Sequence, residues 1–142
     1  MVLPDVNLLV YAYNEASPLH AAAREWWEDL LTREYPVALP WAVVCSFVRL
    51  VTHPAVFVAP LTPVAALDRV RTWFDRAHVR TLDPGPRHLT ILEDLFRATG
   101  VAGNLTTDTH LAALALEHQC ELHSNDADFQ RFPGLRWRNP LT

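Results

Sequence analysis

Four aspartates occupy positions from which their carboxylates could act together. Asp5 follows a short apolar segment that reads as a strand, and Asp108 opens an apolar segment with helical spacing. Asp126 and Asp128 come directly after the strand-like segment 121–124. Sites in open α/β sheets lie beyond the carboxyl ends of the strands, so we expect all four side chains at one edge of a sheet.

A cluster of four carboxylates predicts a bound divalent cation. Like charges repel at close range, and either a cation or a proton must relieve the repulsion. Carboxylate oxygens are hard ligands, which favour Mg²⁺ or Mn²⁺ over zinc. Such an ion can activate a water and neutralise a scissile phosphate, so the cluster predicts phosphate-ester hydrolysis. Taken singly, each aspartate has a simpler interpretation as a helix cap or turn residue, worth about 1 kcal/mol.

The composition limits the classes of protein to which the chain can belong. It has 142 residues, 50% of them hydrophobic and 20% charged, which is typical of one globular domain. All 12 positive charges are arginines, and the absence of lysine excludes P-loop and Schiff-base chemistry. The net charge is −4, but the acids outside the four-aspartate cluster equal the arginines in number. The acidity therefore does not argue against a nucleic-acid substrate.

Neither the N-terminal segment nor the cysteines suggest export. The first fifteen residues carry an acid at Asp5 and no positive charge, which is unlike a signal peptide. No apolar run approaches the roughly 18 residues that a membrane span requires. Cys45 and Cys120 are too few for a disulfide scaffold. We expect a reduced cytoplasmic protein with no membrane association.

Alternating strand-like and helix-like patterns predict a single α/β domain over residues 1–142. We expect a mostly parallel central sheet of about five strands, flanked by helices. The predicted strands are Met1–Asp5, Val37–Leu39, Val79–Leu82, Glu121–Ser124 and Leu135–Trp137. Four predicted helices are Leu8–Tyr13, His20–Leu31, 41–52 and Asp108–His118. A fifth starts at Pro63 and includes Phe74, and a sixth runs through Leu89 and Phe96 and stops at Gly100. We also predict a loop at 101–107 and a short turn near Phe129.

Three segments resemble PIN-domain ribonucleases of the VapC toxin type, and together they span nearly the whole chain. They are LPDVNLLVYAY, WAVVCSFVRLVTHPAVF and GNLTTDTHLAALALEHQCELHSNDADFQRFPGLRW. The last is the most specific, because an aspartate opens an Ala/Leu-rich helix and the S-N-D-x-D-F motif follows eighteen residues later. By this resemblance, Asp5, Asp108 and Asp126 are the metal ligands and catalytic acids, and Asp128 is the catalytic acid beside them.

The resemblance implies a Mg²⁺-dependent endoribonuclease toxin that uses a metal-activated water and leaves a 5′-phosphate. It further implies restraint by a cognate VapB-type antitoxin, and we expect a homodimer with a partner surface near Trp26 and Trp27. Asn7 and Thr107 lie where polar side chains would orient the carboxylates. One departure is that the family usually carries a glutamate where Ser46 stands, which leaves open whether one or two metal ions bind.

Two other functions remain open at this stage. A PIN-like module that binds RNA or a protein, with weak or no nuclease activity, would account for the missing glutamate. A haloacid-dehalogenase-like phosphatase would use Asp5 and the later D-x-D pair. That chemistry, however, requires an acid where Asn7 stands and usually a lysine, and the chain has neither.

Histidines and arginines add two further questions. The spacing H-x-C-x-x-H around Cys120 matches no established zinc pattern, although His110 lies nearby. An arginine can bind an RNA phosphate, because the geometry of its guanidinium group matches phosphate oxygens. A salt bridge to one of the surplus acids is an equally good interpretation of each arginine. The zinc candidates are His110, His118, Cys120 and His123, and the phosphate candidates are Arg49, Arg131, Arg136 and Arg138.

Overall fold

Strands and helices alternate along the chain as the sequence predicts. The computed structural model describes residues 1–100 and 102–142, and within these ranges it contains five strands and six helices. The strands are β1 (Val2–Pro4), β2 (Val37–Ala38), β3 (Val79–Arg80), β4 (Glu121–His123) and β5 (Trp137–Arg138). The helices are α1 (Val6–Tyr13), α2 (His20–Thr32), α3 (Trp41–Val51), α4 (Pro63–Phe74), α5 (His88–Thr99) and α6 (Thr106–Glu117).

The strands form one parallel sheet in the order β3-β2-β1-β4-β5. In register, Val2 lies opposite Val37 on one side and Glu121 on the other. The chain leaves β1 at Asp5 and β4 at Ser124, so these two neighbouring strands end at the same edge. The predicted α/β class and five-stranded parallel sheet are confirmed, and the edge that collects the strand ends is the one that the carboxylates were expected to share.

The core is built from the helix faces that the apolar spacing identified. On α3, Val43, Phe47 and Val51 are buried at intervals of four residues, which places them on one side of the helix. Phe47 contacts Trp73 of α4 edge to face, with ring centroids 4.7 Å apart. Tyr13 at the end of α1 completes this aromatic cluster, because its hydroxyl accepts a hydrogen bond from Trp73 Nε1 at 2.9 Å.

Helix ends fall at capping residues that are visible in the sequence. Thr62 accepts a hydrogen bond from the N–H of Ala65, and Pro63 occupies the first position of α4. Gly100 ends α5 in the left-handed conformation with φ of 67°, which a residue with a side chain adopts only at a cost. These two ends agree with the predicted start and stop of their helices.

The two adjacent tryptophans of α2 take different roles. Trp27 is buried and contacts Trp73, with ring centroids 5.3 Å apart. Trp26 is half-buried and lies against the sheet at His123, where its Nε1 donates to Nδ1 of that histidine at 3.1 Å. Part of the surface near Trp26 and Trp27, where a partner was expected, therefore contacts the chain's own β4.

Two segments in the last third of the chain differ in detail from the prediction. In the predicted loop at 101–107, Val101 lies outside the described residues, Gly103–Leu105 forms a 3₁₀ turn, and α6 already begins at Thr106. The last strand comprises Trp137–Arg138 instead of Leu135–Trp137, because the N–H of Leu135 donates to the carbonyl oxygen of Phe132 at 3.3 Å across the turn that contains Gly134. Among the described residues, no helix combines the length and apolar character needed to cross a membrane.

Candidate functional site

Asp5 lies at the centre of the carboxyl edge, directly after the central strand β1. Its side chain is 7% exposed and caps α1, since Oδ1 accepts a hydrogen bond from the N–H of Val6 at 2.8 Å. Oδ2 accepts a second hydrogen bond, from the hydroxyl of Ser124 at 2.7 Å. Burial raises the pKa of Asp5, with a further contribution from the charge of Asp126, although both hydrogen bonds oppose the shift.

Ser124 connects the two central strands through a fully buried hydroxyl. Its Oγ accepts hydrogen bonds from the N–H of Asp126 at 3.0 Å and from Nδ2 of Asn7 at 3.3 Å. With both lone pairs engaged, the single hydroxyl proton is directed to Asp5. Ser124 was not singled out in the sequence, although its position two residues before Asp126 matches the Ser/Thr-turn pattern that would have identified it.

Asp108 brings a third element, the first turn of α6, to the cluster. Burial and, after it, the negative charges of Asp5, Asp126 and Asp128, in that order, together raise its pKa from 3.8 to about 6. The other three aspartates therefore lie within electrostatic range of Asp108. The structure thus brings Asp5 to three acids that follow it by more than a hundred residues in the sequence.

Asp126 caps the 3₁₀ turn Ala127–Arg131 that follows β4, and Asp128 lies in its first residues. Oδ1 of Asp126 accepts a hydrogen bond from the N–H of Asp128 at 2.9 Å, so Asp126 also has the capping role of the simpler interpretation. Asp128 forms an ion pair with Arg131 at 3.5 Å. For Arg131, the structure therefore shows a salt bridge to a neighbouring acid, the alternative to a phosphate contact.

The carboxylates interact electrostatically, but their side chains are not arranged as metal ligands. Within residues 1–100 and 102–142, no three His, Cys, Asp or Glu side chains are placed to hold a metal ion. The oxygens of Asp5 face Ser124 and Val6, and the uncompensated charges repel one another. The assignment of Asp5, Asp108 and Asp126 as metal ligands stays a prediction.

The remaining polar atoms of the site fit a hydrated cation. Oδ1 of Asn7 is buried and has no hydrogen-bond partner among the described residues, although the amide donates to Ser124 from its other end. A buried acceptor that lacks a donor is costly, and a water molecule held beside the carboxylates would satisfy it. Asn7 thus lies where an orienting residue was expected, whereas Thr107 is exposed.

Ser46 lies half-buried on α3, between the exposed Cys45 and the buried Phe47. Helix α3 begins where β2 ends, next to the strand that leads to Asp5. No carboxylate occurs anywhere in residues 35–67, so no nearby acid replaces the expected glutamate. The site therefore has one negative charge fewer than the pattern that it resembles.

The zinc candidates point to four separate partners. His110 and His88 contact each other, with Nδ1 and Nε2 3.0 Å apart, and His118 Nε2 lies 2.8 Å from the carbonyl oxygen of Asp83. His123 is held between Trp26 and Glu121, and Cys120 is a buried free thiol. These contacts account for the three histidines without a shared ion.

Comparison with known proteins relates the whole chain to one family. The family model for the PIN domain matches residues 2–135. The chain is 40% identical over 141 residues to Ribonuclease VapC33 of Mycobacterium tuberculosis, covering 99% of each chain. This relationship excludes the phosphatase interpretation of Asp5.

Solved structures share the same fold at low sequence identity. The toxin–antitoxin complex VapBC2 from Rickettsia felis matches with a TM-score of 0.70 at 17% identity, covering 98% of both chains. VapC20 of Mycobacterium tuberculosis, described as a toxin that cleaves the sarcin–ricin loop, matches with a TM-score of 0.66 at 18% identity, covering 96% of this chain and 99% of that one. With the family-model match and the full-length relatives, the chain belongs to the PIN-domain family, among the VapC ribonucleases.

Proposed function

We propose that the chain is a Mg²⁺-dependent endoribonuclease that acts as the toxin of a VapBC-type pair. The observation that carries the proposal is the charge coupling among Asp5, Asp108, Asp126 and Asp128 at one edge of the sheet. PIN-domain ribonucleases are metal-dependent in general, and four oxygen-donor side chains suit Mg²⁺, with Mn²⁺ as an effective substitute.

In this proposal Asp5, Asp108 and Asp126 hold the ion, and Asp128 adds negative charge beside them. When bound, the ion would supply an activated water and neutralise charge on the scissile phosphate. Both oxygens of Asp5 act as acceptors, because the hydroxyl of Ser124 donates to Oδ2 and the N–H of Val6 donates to Oδ1. Asn7 presents an unpaired carbonyl oxygen that would orient a water in the site.

The remaining assignments follow the same relationship. We propose that the functional domain spans residues 1–142, that RNA is the substrate, and that the enzyme works in the cytoplasm. Its activity would be restrained by a VapB-type antitoxin, as the names of its structural relatives suggest, and the enzyme itself would be a homodimer. Two free cysteines and an RNA substrate are consistent with a reducing compartment.

The proposed function is tested by the RNA ends that the enzyme creates. The full chain is induced in a bacterium, and new 5′-phosphate ends are mapped across the transcriptome. The purified chain is then incubated with a responsive RNA, with Mg²⁺ or with EDTA. We expect discrete new ends and growth arrest in cells, and cleavage in vitro only with the divalent ion. If RNA stays intact at saturating Mg²⁺, the chain is a binding module instead.

The missing glutamate predicts weak metal binding, and therefore a high Mg²⁺ requirement that an added carboxylate should lower. Ser46→Glu should lower the Mg²⁺ concentration for half-maximal cleavage, because a carboxylate would return to the acidic site. The matched control is Ser46→Gln, which adds the same length without the charge and should leave the metal requirement near that of wild type. Equal metal titrations for all three proteins at matched folding would mean that residue 46 does not face the site.

A further inference from the structure

Helix α3 carries a narrow stripe of exposed side chains. Trp41, Cys45 and Arg49 are all exposed and are spaced four residues apart, so they share one face of the helix. The opposite side carries the buried Val43, Phe47 and Val51. We call Trp41, Cys45 and Arg49 the outer stripe of α3.

The outer stripe begins at the same sheet edge as the acidic cluster. Val2 of β1 lies opposite Val37 of β2 in parallel register, so the same offset places Asp5 level with Pro40. Neighbouring strands are about 4.8 Å apart, and Trp41 directly follows Pro40. The stripe therefore starts just after the strand that lies beside β1, which delivers Asp5.

Trp41 is a supported but open aromatic surface. Its ring packs against Phe74 at the end of α4, with centroids 5.9 Å apart and an interplanar angle of 34°. Even so, 55% of the residue is exposed, whereas Trp27 and Trp73 are buried in the core. A tryptophan fixed from one side and open on the other suits stacking by a planar group.

The charge of the segment that carries the stripe favours an anionic ligand. Residues 35–67 contain no aspartate or glutamate, although the whole chain is acidic. Arg49 makes no ion pair among the described residues, whereas the exposed Arg24, Arg71 and Arg97 each pair with an acid on their own helix. Arg49 is thus free to meet a phosphate, and no carboxylate on α3 would repel it.

We propose that the outer stripe of α3 binds single-stranded RNA, with one base stacked on Trp41 and a backbone phosphate held by Arg49. This inference rests on the proposed function, which puts the scissile phosphate at the acidic cluster next to the start of the stripe. Stacking on an aromatic ring together with a guanidinium contact is a common mode of single-strand recognition. The two side chains are eight residues apart, about 12 Å along the helix, which an extended strand can span.

The test measures RNA affinity in chains that cannot cleave. All proteins carry Asp108→Asn, and binding of a labelled mixed-sequence single-stranded RNA oligonucleotide is followed by fluorescence anisotropy in Mg²⁺. Trp41→Ala should weaken binding about five- to 100-fold, and Trp41→Tyr should retain most of the affinity. Arg49→Ala should reduce the slope of log affinity against log salt by about 0.7, a change that Trp41→Ala should not produce. Controls are Leu89→Ala, at an exposed apolar residue of α5, and Arg71→Ala.

The outcomes separate this inference from the proposed function. If the wild-type chain cleaves RNA and the stripe variants bind as tightly as the controls, the inference is overturned and the nuclease stands. The inference is also overturned if Trp41→Ala changes only the oligomeric state in light scattering, because the stripe would then be a protein interface. If stripe variants lose RNA affinity while the wild type never cleaves, the inference is supported and the nuclease proposal fails. If wild type neither binds nor cleaves RNA, both are overturned.

Discussion

Asp108→Asn is expected to abolish RNA cleavage and growth arrest while making the metal-free protein more stable. Loss of an ion ligand should lower the rate at least about 1,000-fold, because a bound cation contributes several kcal/mol to transition-state stabilisation. The neutral amide also removes a charge that Asp5, Asp126 and Asp128 repel. Since the side chain is half-exposed and screened by water, we expect a gain of only about 1 kcal/mol, or roughly 3 °C in Tm.

The raised pKa of Asp108 also predicts how the stability of the metal-free protein changes with pH. The pKa of Asp108 is about 6 in the folded protein and near 3.8 when unfolded, so the folded state binds more protons between these values. The stability of the metal-free wild type should therefore fall as the pH rises from about 4 to 6, and then remain at the lower level. The corresponding loss should be absent in Asp108→Asn.

The measurement is thermal unfolding in EDTA across pH 4–8, beside cleavage assays in Mg²⁺. Asp94→Asn is the control, because Asp94 is an exposed aspartate on α5 outside the cluster. It should keep full activity and the wild-type pH profile. Retained toxicity of Asp108→Asn at equal soluble expression would remove Asp108 from the proposed ligands, and an unchanged pH profile would contradict its raised pKa.

Ser124→Ala is expected to weaken metal binding about 10- to 100-fold, although serine is not a proposed ligand. Residues that orient ligands typically have effects of this size. The substitution removes the donor to Oδ2 of Asp5 and the acceptor for both Asn7 and the N–H of Asp126. Leaving these buried groups unpaired should also cost about 1–3 kcal/mol of stability.

Calorimetric titration of Mn²⁺ into the full chain separates these two effects of Ser124→Ala. Thr52→Ala is a matched control, because its hydroxyl donates to the carbonyl oxygen of Val48 at 2.7 Å at the end of α3, outside the acidic cluster. It should lose some stability and keep its metal affinity. An equal metal affinity for Ser124→Ala and wild type would show that Asp5 holds its position without the hydroxyl.

Much of the fold was predictable because the physical signals are local. The helix faces follow from apolar residues three and four apart, and Thr62, Pro63 and Gly100 mark ends through conformations that those residues favour. The acidic cluster was predictable in a different way. The topology of a parallel sheet brings strand ends to one edge, so residues such as Asp5 and Asp126 meet without any local sequence relationship.

What the sequence did not reveal depends on contacts between distant segments. Ser124 and Asp5 are 119 positions apart, and nothing near Ser124 indicates that its hydroxyl faces the first strand. The contact between Trp26 and His123 likewise depends on how α2 lies over β4. The start of β5 differs from the prediction because the N–H of Leu135 bonds back to Phe132, a contact that the apolar pattern does not indicate.

The pairing of β1 with β4 also decides when a newly made chain can acquire its acidic cluster. β1 and Asp5 are made well before β4, Ser124 and Asp126, because Ser124 lies 119 residues after Asp5. At about 5–20 residues per second, synthesis of the intervening residues takes on the order of ten seconds, during which one side of β1 has no partner strand. A polypeptide released before residue 121 lacks two of the four acids together with the strand that positions them. Products of interrupted translation should therefore be harmless to the cell that makes them.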